Sequence, residues 1–112
     1  MVNPIEEIKG ELPATEITAV RAPDWWYDGR RGHFDFKEMP DAVQYMVYVG
    51  LSPDGEGAIL LGKNVKKSGT LVVGFLPDTD HYAFVVWRNK AGKLSKPSRP
   101  FKFRLKDEFE NK

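Results

Sequence analysis

Polar and apolar residues alternate with a period of two along most of this chain, and this alternation restricts the fold more than any other feature. In the stretch GHFDFK at residues 32–37, both phenylalanines share one face. Glycine and proline separate such runs at intervals of about eight to twelve residues. No window of about twelve residues free of these two has the apolar period of an α-helix. The pattern therefore predicts short strands joined by turns.

Seven runs have the character of strands: 16–20, 32–37, 43–50, 58–61, 69–75, 81–89 and 99–105. Short links between most of them favour antiparallel pairing. The predicted fold class is all-β, a seven-stranded antiparallel β-sandwich. Its core is predicted to contain Phe34, Phe36, Tyr45, Val47, Leu71, Val73, Val85 and Trp87.

Length, charge and cysteine content narrow the classes of protein further. The 112 residues suffice for one domain. Seventeen basic against 16 acidic side chains give a net charge of +1, which argues against a nucleic-acid partner. The absence of cysteine excludes disulfides and thiolate chemistry. No apolar run approaches the roughly 20 residues of a membrane span, so we expect no membrane insertion.

The ends of the chain differ in composition from its centre. Residues 1–13, MVNPIEEIKGELP, predict a linker or a loosely attached N-terminal arm, because proline, glycine and acidic residues dominate. Residues 107–112 predict a charged tail. A single domain over 14–106 remains between them, and we expect it to be a piece of a larger polypeptide.

The second half of the chain carries a family resemblance. Residues 76–86, LPDTDHYAFVV, and 89–98, NKAGKLSKPS, resemble the E–F corner, the F strand and the approach to the G strand of a fibronectin type III domain. Upstream, Pro13-Ala14 resembles the family's start, and residues 44–48 resemble its C strand. The resemblance covers residues 13–105 and implies an immunoglobulin-like, fibronectin type III-like sandwich.

Two departures from the family pattern bear on the interpretation. Phe36 stands where the family usually has a buried tryptophan, and the tyrosine-corner position falls on His81 rather than Tyr82. Two registers of this strand remain open, and a slip of one residue would exchange its faces. The register that the alignment favours points His81 inward and creates an apolar outer face. That face would be a site of protein contact, formed by Met46, Tyr48, Tyr82, Phe84 and Val86.

No catalytic, phosphate or metal motif stands out. The two histidines have structural explanations, and the four serines lie at predicted turns rather than in a nucleophile elbow. The glycine-rich run at 50–57 lacks the features of a P-loop. The acids Asp24, Asp28 and Asp35 match no calcium-loop spacing. We therefore expect neither an enzyme nor a cofactor nor a metal site.

The most unusual stretch is DWWYDGRRGH at residues 24–33. Aromatic rings in a loop can stack on the apolar face of a sugar, while arginines form bidentate hydrogen bonds to anionic groups. The predicted glycan site comprises Trp25, Trp26, Tyr27, Asp28, Arg30 and Arg31. The alternative is that these rings plug the end of the sandwich or pack against a neighbouring domain.

Taken with the resemblance, these features predict a non-catalytic accessory module of a secreted, carbohydrate-active multidomain protein. It would act as a spacer or scaffold and contact polysaccharide. The alternative function is protein–protein interaction, of the cell-surface or adhesion type, through the outer sheet face. Expected partners are the neighbouring domains and a polysaccharide, and we expect a monomer. The expected location is extracellular or at the surface of a bacterium. Fold alone does not fix function.

Overall fold

Every predicted run forms a strand in the computed structural model, which describes residues 3–23 and 28–106. The strands are β1 (Ile17–Arg21), β2 (Arg31–Phe36), β3 (Ala42–Gly50), β4 (Ile59–Val65), β5 (Thr70–Val73), β6 (His81–Asn89) and β7 (Phe101–Phe103). The observed elements are therefore the ones that the period-two alternation predicts.

The strands form two antiparallel sheets that pack face to face. One sheet has the order β1-β2-β5, and the other has the order β4-β3-β6-β7. This arrangement confirms the seven-stranded β-sandwich. The edge strands are β1 and β5 in the first sheet and β4 and β7 in the second.

The core between the sheets confirms six of the eight predicted positions. The ring of Phe36, which stands in place of the family's tryptophan, packs 4.4 Å from that of Tyr45. The indole N–H of Trp87 donates a hydrogen bond of 2.8 Å to the carbonyl of Pro13. This bond holds the start of the domain against β6, the strand that corresponds to the F strand of the family.

The prediction for β5 was wrong by one residue. Val72 is buried, whereas Leu71 is only partly buried and Val73 is exposed. Pairing with β2 explains the difference: Gly32, which faces the core, lies opposite Val72 in the register. Directly opposed residues of paired strands share a face. A strand of only four residues between two glycines carries too few alternations to fix its own register.

Residues 3–12, here called the N-terminal arm, pack against the domain, although their composition predicts a loose attachment. Asn3 caps a single turn, because its Oδ1 accepts hydrogen bonds of 3.1 Å from the amides of Ile5 and Glu6. Its side-chain amide donates to the carbonyl of Asp54 at 3.0 Å. Ile5 is buried and lies against Gly55.

The other end of the N-terminal arm is held by backbone pairing. The amides of Glu11 and Leu12 both donate to the carbonyl of Leu94, and the amide of Lys96 donates to the carbonyl of Leu12. Gly10 sits so close to Ser95 that no side chain fits between them. The arm is therefore anchored at the turn after β3 and again at the segment after β6.

The outer face of the four-stranded sheet, which points away from the core, is largely closed, and the two anchors of the N-terminal arm indicate that the arm covers it. On β6, His81, Ala83, Val85 and Trp87 point inward, as the favoured register predicts. Phe84 and Val86 point the other way but are only 2% and 1% exposed. Together with Ile5 they are the buried apolar residues that lie outside the central core. The prediction that Phe84 forms an exposed interaction face was therefore wrong.

The remaining residues of that predicted face are partly covered. Tyr48 and Met46 lie opposite Phe84 and Val86 in the register and are half-buried, as is Tyr82. Burial raises the pKa of the Tyr48 phenol, which agrees with a largely covered face. The apolar character of this face was predicted correctly, but the chain itself covers it.

Candidate functional site

The aromatic part of the predicted glycan site, Trp25, Trp26 and Tyr27, lies outside the described residues, as does Asp24. The structure describes the segment that follows. Gly29 has φ of 76° and lies against Pro77 and Lys106. The amide of Gly74 donates to the carbonyl of Arg30. Residues 28–30, which follow the aromatic residues, therefore enter β2 beside the segment between β5 and β6.

The polar residues of that site do not converge on a single point. Asp28 and Arg31 form an ion pair at 3.2 Å, and both side chains are mostly buried. Burial raises the pKa of Asp28, but hydrogen bonds from the amide of Arg30 and from Arg31 outweigh it, and the pKa is lowered. Arg30 is exposed. An anion at this loop would therefore meet the Arg30 guanidinium first.

On β1 and β2 the outer face of the three-stranded sheet carries polar side chains, whereas β5 adds Leu71 and Val73 to the same face. Arg21 donates two hydrogen bonds, of 2.5 and 2.8 Å, to the carboxylate of Asp35. The Nδ1 atom of His33 lies 2.9 Å from the carbonyl of Gly69. These contacts agree with the structural interpretation of His33. Asp35 is engaged by Arg21, so its position is explained without a calcium ion.

An apolar pocket of about 390 Å³ opens at one end of the sandwich, and we call it the end pocket. It lies between the edge strand β4 and the segment that joins β5 to β6. Its apolar lining consists of Val49, Leu51, Ile59, Leu61, Phe75 and Leu76. Leu51 and Ile59 are 62% and 63% exposed, and Leu76 is also exposed. Large apolar side chains in such positions usually mark a contact site.

Sequence reasoning did not single out the end pocket. Its exposed residues come from three separate segments, and each lies beside a turn: Leu51 precedes Ser52-Pro53, Ile59 follows Gly57-Ala58, and Leu76 precedes Pro77. A large aliphatic residue next to a turn is the available signal, but only the fold brings the three together.

His81 forms the polar floor of the end pocket and is buried. The amide of Leu76 donates to its Nε2 at 3.2 Å, so Nδ1 carries the proton and donates to the carbonyl of Thr79 at 2.9 Å. The ring also stacks on Phe103, with centroids 5.3 Å apart. At the tyrosine-corner position, an imidazole thus ties the β5–β6 turn to the core through two backbone bonds.

We expect the stability of the domain to fall as His81 is forced to protonate. Burial lowers the pKa of this imidazole below 6.5, although the Thr79 carbonyl and the charge of Asp80 oppose the shift. The unfolded state therefore takes up a proton as pH falls below about 6.5, while the folded state resists it. Urea denaturation between about pH 7.5 and 5 should show a declining free energy of unfolding.

The matched control for this pH effect is His81→Gln, which removes the titrating ring. Its free energy of unfolding should be lower at every pH but flatter over the same range. The carboxylates with lowered pKa, such as Asp35 and Asp80, lose their contributions only below about pH 4, so they do not produce this slope. Equal slopes for both proteins would contradict the assignment.

The described residues contain neither a metal-binding cluster nor a membrane-spanning helix. Across 3–23 and 28–106, no cluster of three or more histidine, aspartate or glutamate side chains could hold a metal ion. In the same ranges there is no helix with the length and hydropathy needed to cross a lipid bilayer.

Comparisons with known proteins give a consistent fold. No family model and no curated protein matches the chain in sequence. Among solved structures, it is similar to a Fn3-like protein from Clostridium thermocellum, with a TM-score of 0.62 and 19% identity over 82% of this chain and 92% of that one. It is also similar to part of the twitchin kinase region from C. elegans, with a TM-score of 0.58 and 16% identity over 83% of this chain.

A third similar structure is the Family 28 exopolygalacturonase of Yersinia enterocolitica, with a TM-score of 0.57 and 18% identity over 83% of this chain. The match spans only 21% of that enzyme and 17% of the twitchin region. In fold, the chain is therefore a fibronectin type III-like domain, as its sequence motifs predict. At these identities the likeness shows the fold alone.

Proposed function

We propose that this chain is a non-catalytic accessory module of a secreted, carbohydrate-active multidomain protein. The observation that carries the proposal is the match of 83% of this chain to 21% of an exopolygalacturonase, in which the same fold occupies a fraction of a longer enzyme. The twitchin kinase region likewise contains this fold as a part. A bacterial, extracellular or cell-surface location belongs to the same proposal.

The module's contact with polysaccharide would be made by the loop before β2. Trp25, Trp26 and Tyr27 supply rings that can stack on sugar faces, and the exposed Arg30 supplies a cation for a uronate or sulfate. Arg31 would act indirectly, because its ion pair with Asp28 holds the base of the loop. Support for this site comes from the sequence and from the exposure of Arg30.

Affinity electrophoresis of the whole chain in gels that contain neutral or uronate-rich polysaccharide tests this function. We expect retardation that is lost in Trp25→Ala and Trp26→Ala, with melting temperatures close to that of the parent chain. Arg30→Gln should weaken retention only on the anionic gel, and added salt should have the same effect. The half-buried Tyr82 provides the control, since Tyr82→Ala should leave retention unchanged.

The outcome that would contradict polysaccharide contact is unchanged mobility in every gel. Strong destabilisation of both tryptophan variants would then favour a structural plug. Hydrolysis of a glycoside, ester or phosphoester by the purified chain, abolished by one histidine or carboxylate substitution, would contradict the non-catalytic role.

A second candidate function, protein–protein interaction, is supported by a different observation. The outer sheet face is closed, but the end pocket exposes Leu51, Ile59 and Leu76 around an apolar opening. We propose that protein contact, if it is the module's role, uses the end pocket instead of the face formed by Met46, Tyr48, Tyr82 and Phe84.

A further inference from the structure

The end pocket has an acidic rim, which narrows the chemistry of a partner. Glu56 lines the pocket directly. Asp54 lies two residues away, and hydrogen bonds from the amide of Glu56 and the hydroxyl of Ser52 lower the pKa of its carboxyl. The turn that carries Glu6 and Glu7 sits against the same loop, through the bond from Asn3 to Asp54.

None of these four carboxylates forms an ion pair with another described residue. Asp80, next to the pocket residue His81 in the chain, differs in this respect, because Arg104 and Lys102 engage it. The negative charge of these four carboxylates is therefore not neutralised by an ion pair within the described residues. A cation brought by a partner would be attracted here.

The walls of the end pocket determine which kind of partner side chain can enter it. The space of about 390 Å³ lies within the range of small ligand sites, and its walls are mostly aliphatic. The two nitrogens of His81 are already bonded to the backbone, so the floor offers no free polar group to a ligand in the neutral state. An apolar side chain fits these walls, and a polar one would lose hydrogen bonds to water without replacement.

We propose that the end pocket binds a protein segment in which a large aliphatic side chain is flanked by lysine or arginine. The aliphatic group enters between Leu51, Ile59 and Leu76, and the flanking cations face Glu56 and Asp54. This inference rests on the second proposed function and names the chemistry of its partner.

Nuclear magnetic resonance titration of the ¹⁵N-labelled whole chain tests this proposal. The probe is the capped peptide Gly-Lys-Leu-Lys-Gly, with Gly-Glu-Leu-Glu-Gly and Gly-Lys-Ser-Lys-Gly as comparators. The lysine–leucine peptide should shift amides at 49–51, 56–61 and 74–76, and both comparators should bind at least about tenfold more weakly. Added salt should weaken binding of the first peptide.

Two substitutions locate the contact. Ile59→Ser should weaken binding about tenfold, whereas Val43→Ser, at an exposed apolar residue of β3 outside the pocket, should not. Glu56→Gln should weaken it about two- to fivefold and reduce the effect of salt. Both changes fall on exposed side chains, so the fold should persist. Leu51→Ser provides a second pocket variant if Ile59→Ser proves unstable.

Three results would overturn the proposal: no shifts up to about 5 mM peptide, equal binding of all three peptides, or shifts centred outside the end pocket. Such a failure leaves the accessory role intact, because the polysaccharide gels test that role with different residues. Conversely, unchanged mobility in those gels leaves the peptide result valid.

Discussion

Replacing Phe84 with alanine is expected to lower the free energy of unfolding by about 3–5 kcal/mol, the usual cost of deleting a buried aromatic ring. The reason is specific to this chain: Phe84 points away from the central core, yet it is only 2% exposed. Urea denaturation of the whole chain measures the loss.

The control for this experiment is Val43→Ala, on the neighbouring strand β3. Val43 is an exposed apolar residue, so the same kind of truncation should change stability by about 0.5 kcal/mol or less. A loss below about 1 kcal/mol for Phe84→Ala would place that ring on an open surface and contradict its burial.

Replacing Gly10 with alanine is expected to cost about 1–3 kcal/mol and to loosen the N-terminal arm. A β-carbon at this position would overlap the backbone of Ser95 and Lys96, and a backbone cannot rotate away as a side chain can. Release of the arm uncovers Phe84 and Val86, so binding of a hydrophobic dye should increase. Thermal melts and dye fluorescence measure the two effects.

Lys9→Ala provides the comparison for Gly10→Ala, since Lys9 is the exposed neighbour in the same arm. It should leave both stability and dye binding unchanged. If Gly10→Ala behaves like Lys9→Ala, the close approach of the arm to Ser95 is wrong.

Much of the sandwich could be predicted from sequence because alternation and turn residues act locally. The inward-facing residues of the long strand β6 were predicted correctly. Its nine residues contain several alternations, and the family motif places the start of the strand. The short strand β5 could not fix its own register, which pairing with β2 decides. Register is a property of two strands, and one strand's composition does not contain it.

The N-terminal arm shows a second limit of composition. Asn3 followed by Pro4 is a recognisable start for a helical turn, yet proline, glycine and acidic residues are equally typical of a linker. What orders the arm is tertiary: Ile5 packs at the β3–β4 turn, and Leu12 pairs with the segment after β6. These partners lie 50 or more residues away along the chain, beyond the reach of a local pattern.

The two candidate sites also differ in how far the sequence alone reveals them. The aromatic run at 25–27 is visible in sequence because three large rings in succession cannot share one strand face. The end pocket is invisible there, because its exposed residues are single aliphatic side chains from three turns. Only the packing of the two sheets gathers them beside Glu56.

Closure of the outer sheet face by the N-terminal arm is the central structural claim, because it directs protein contact to the end pocket. Backbone ¹⁵N relaxation of the whole chain at residues 5–12 tests it most directly. Order parameters of about 0.85, equal to those of β3 and β6, are expected if the arm is a fixed part of the domain. Values below about 0.6 throughout the arm would show a loose attachment and contradict the claim.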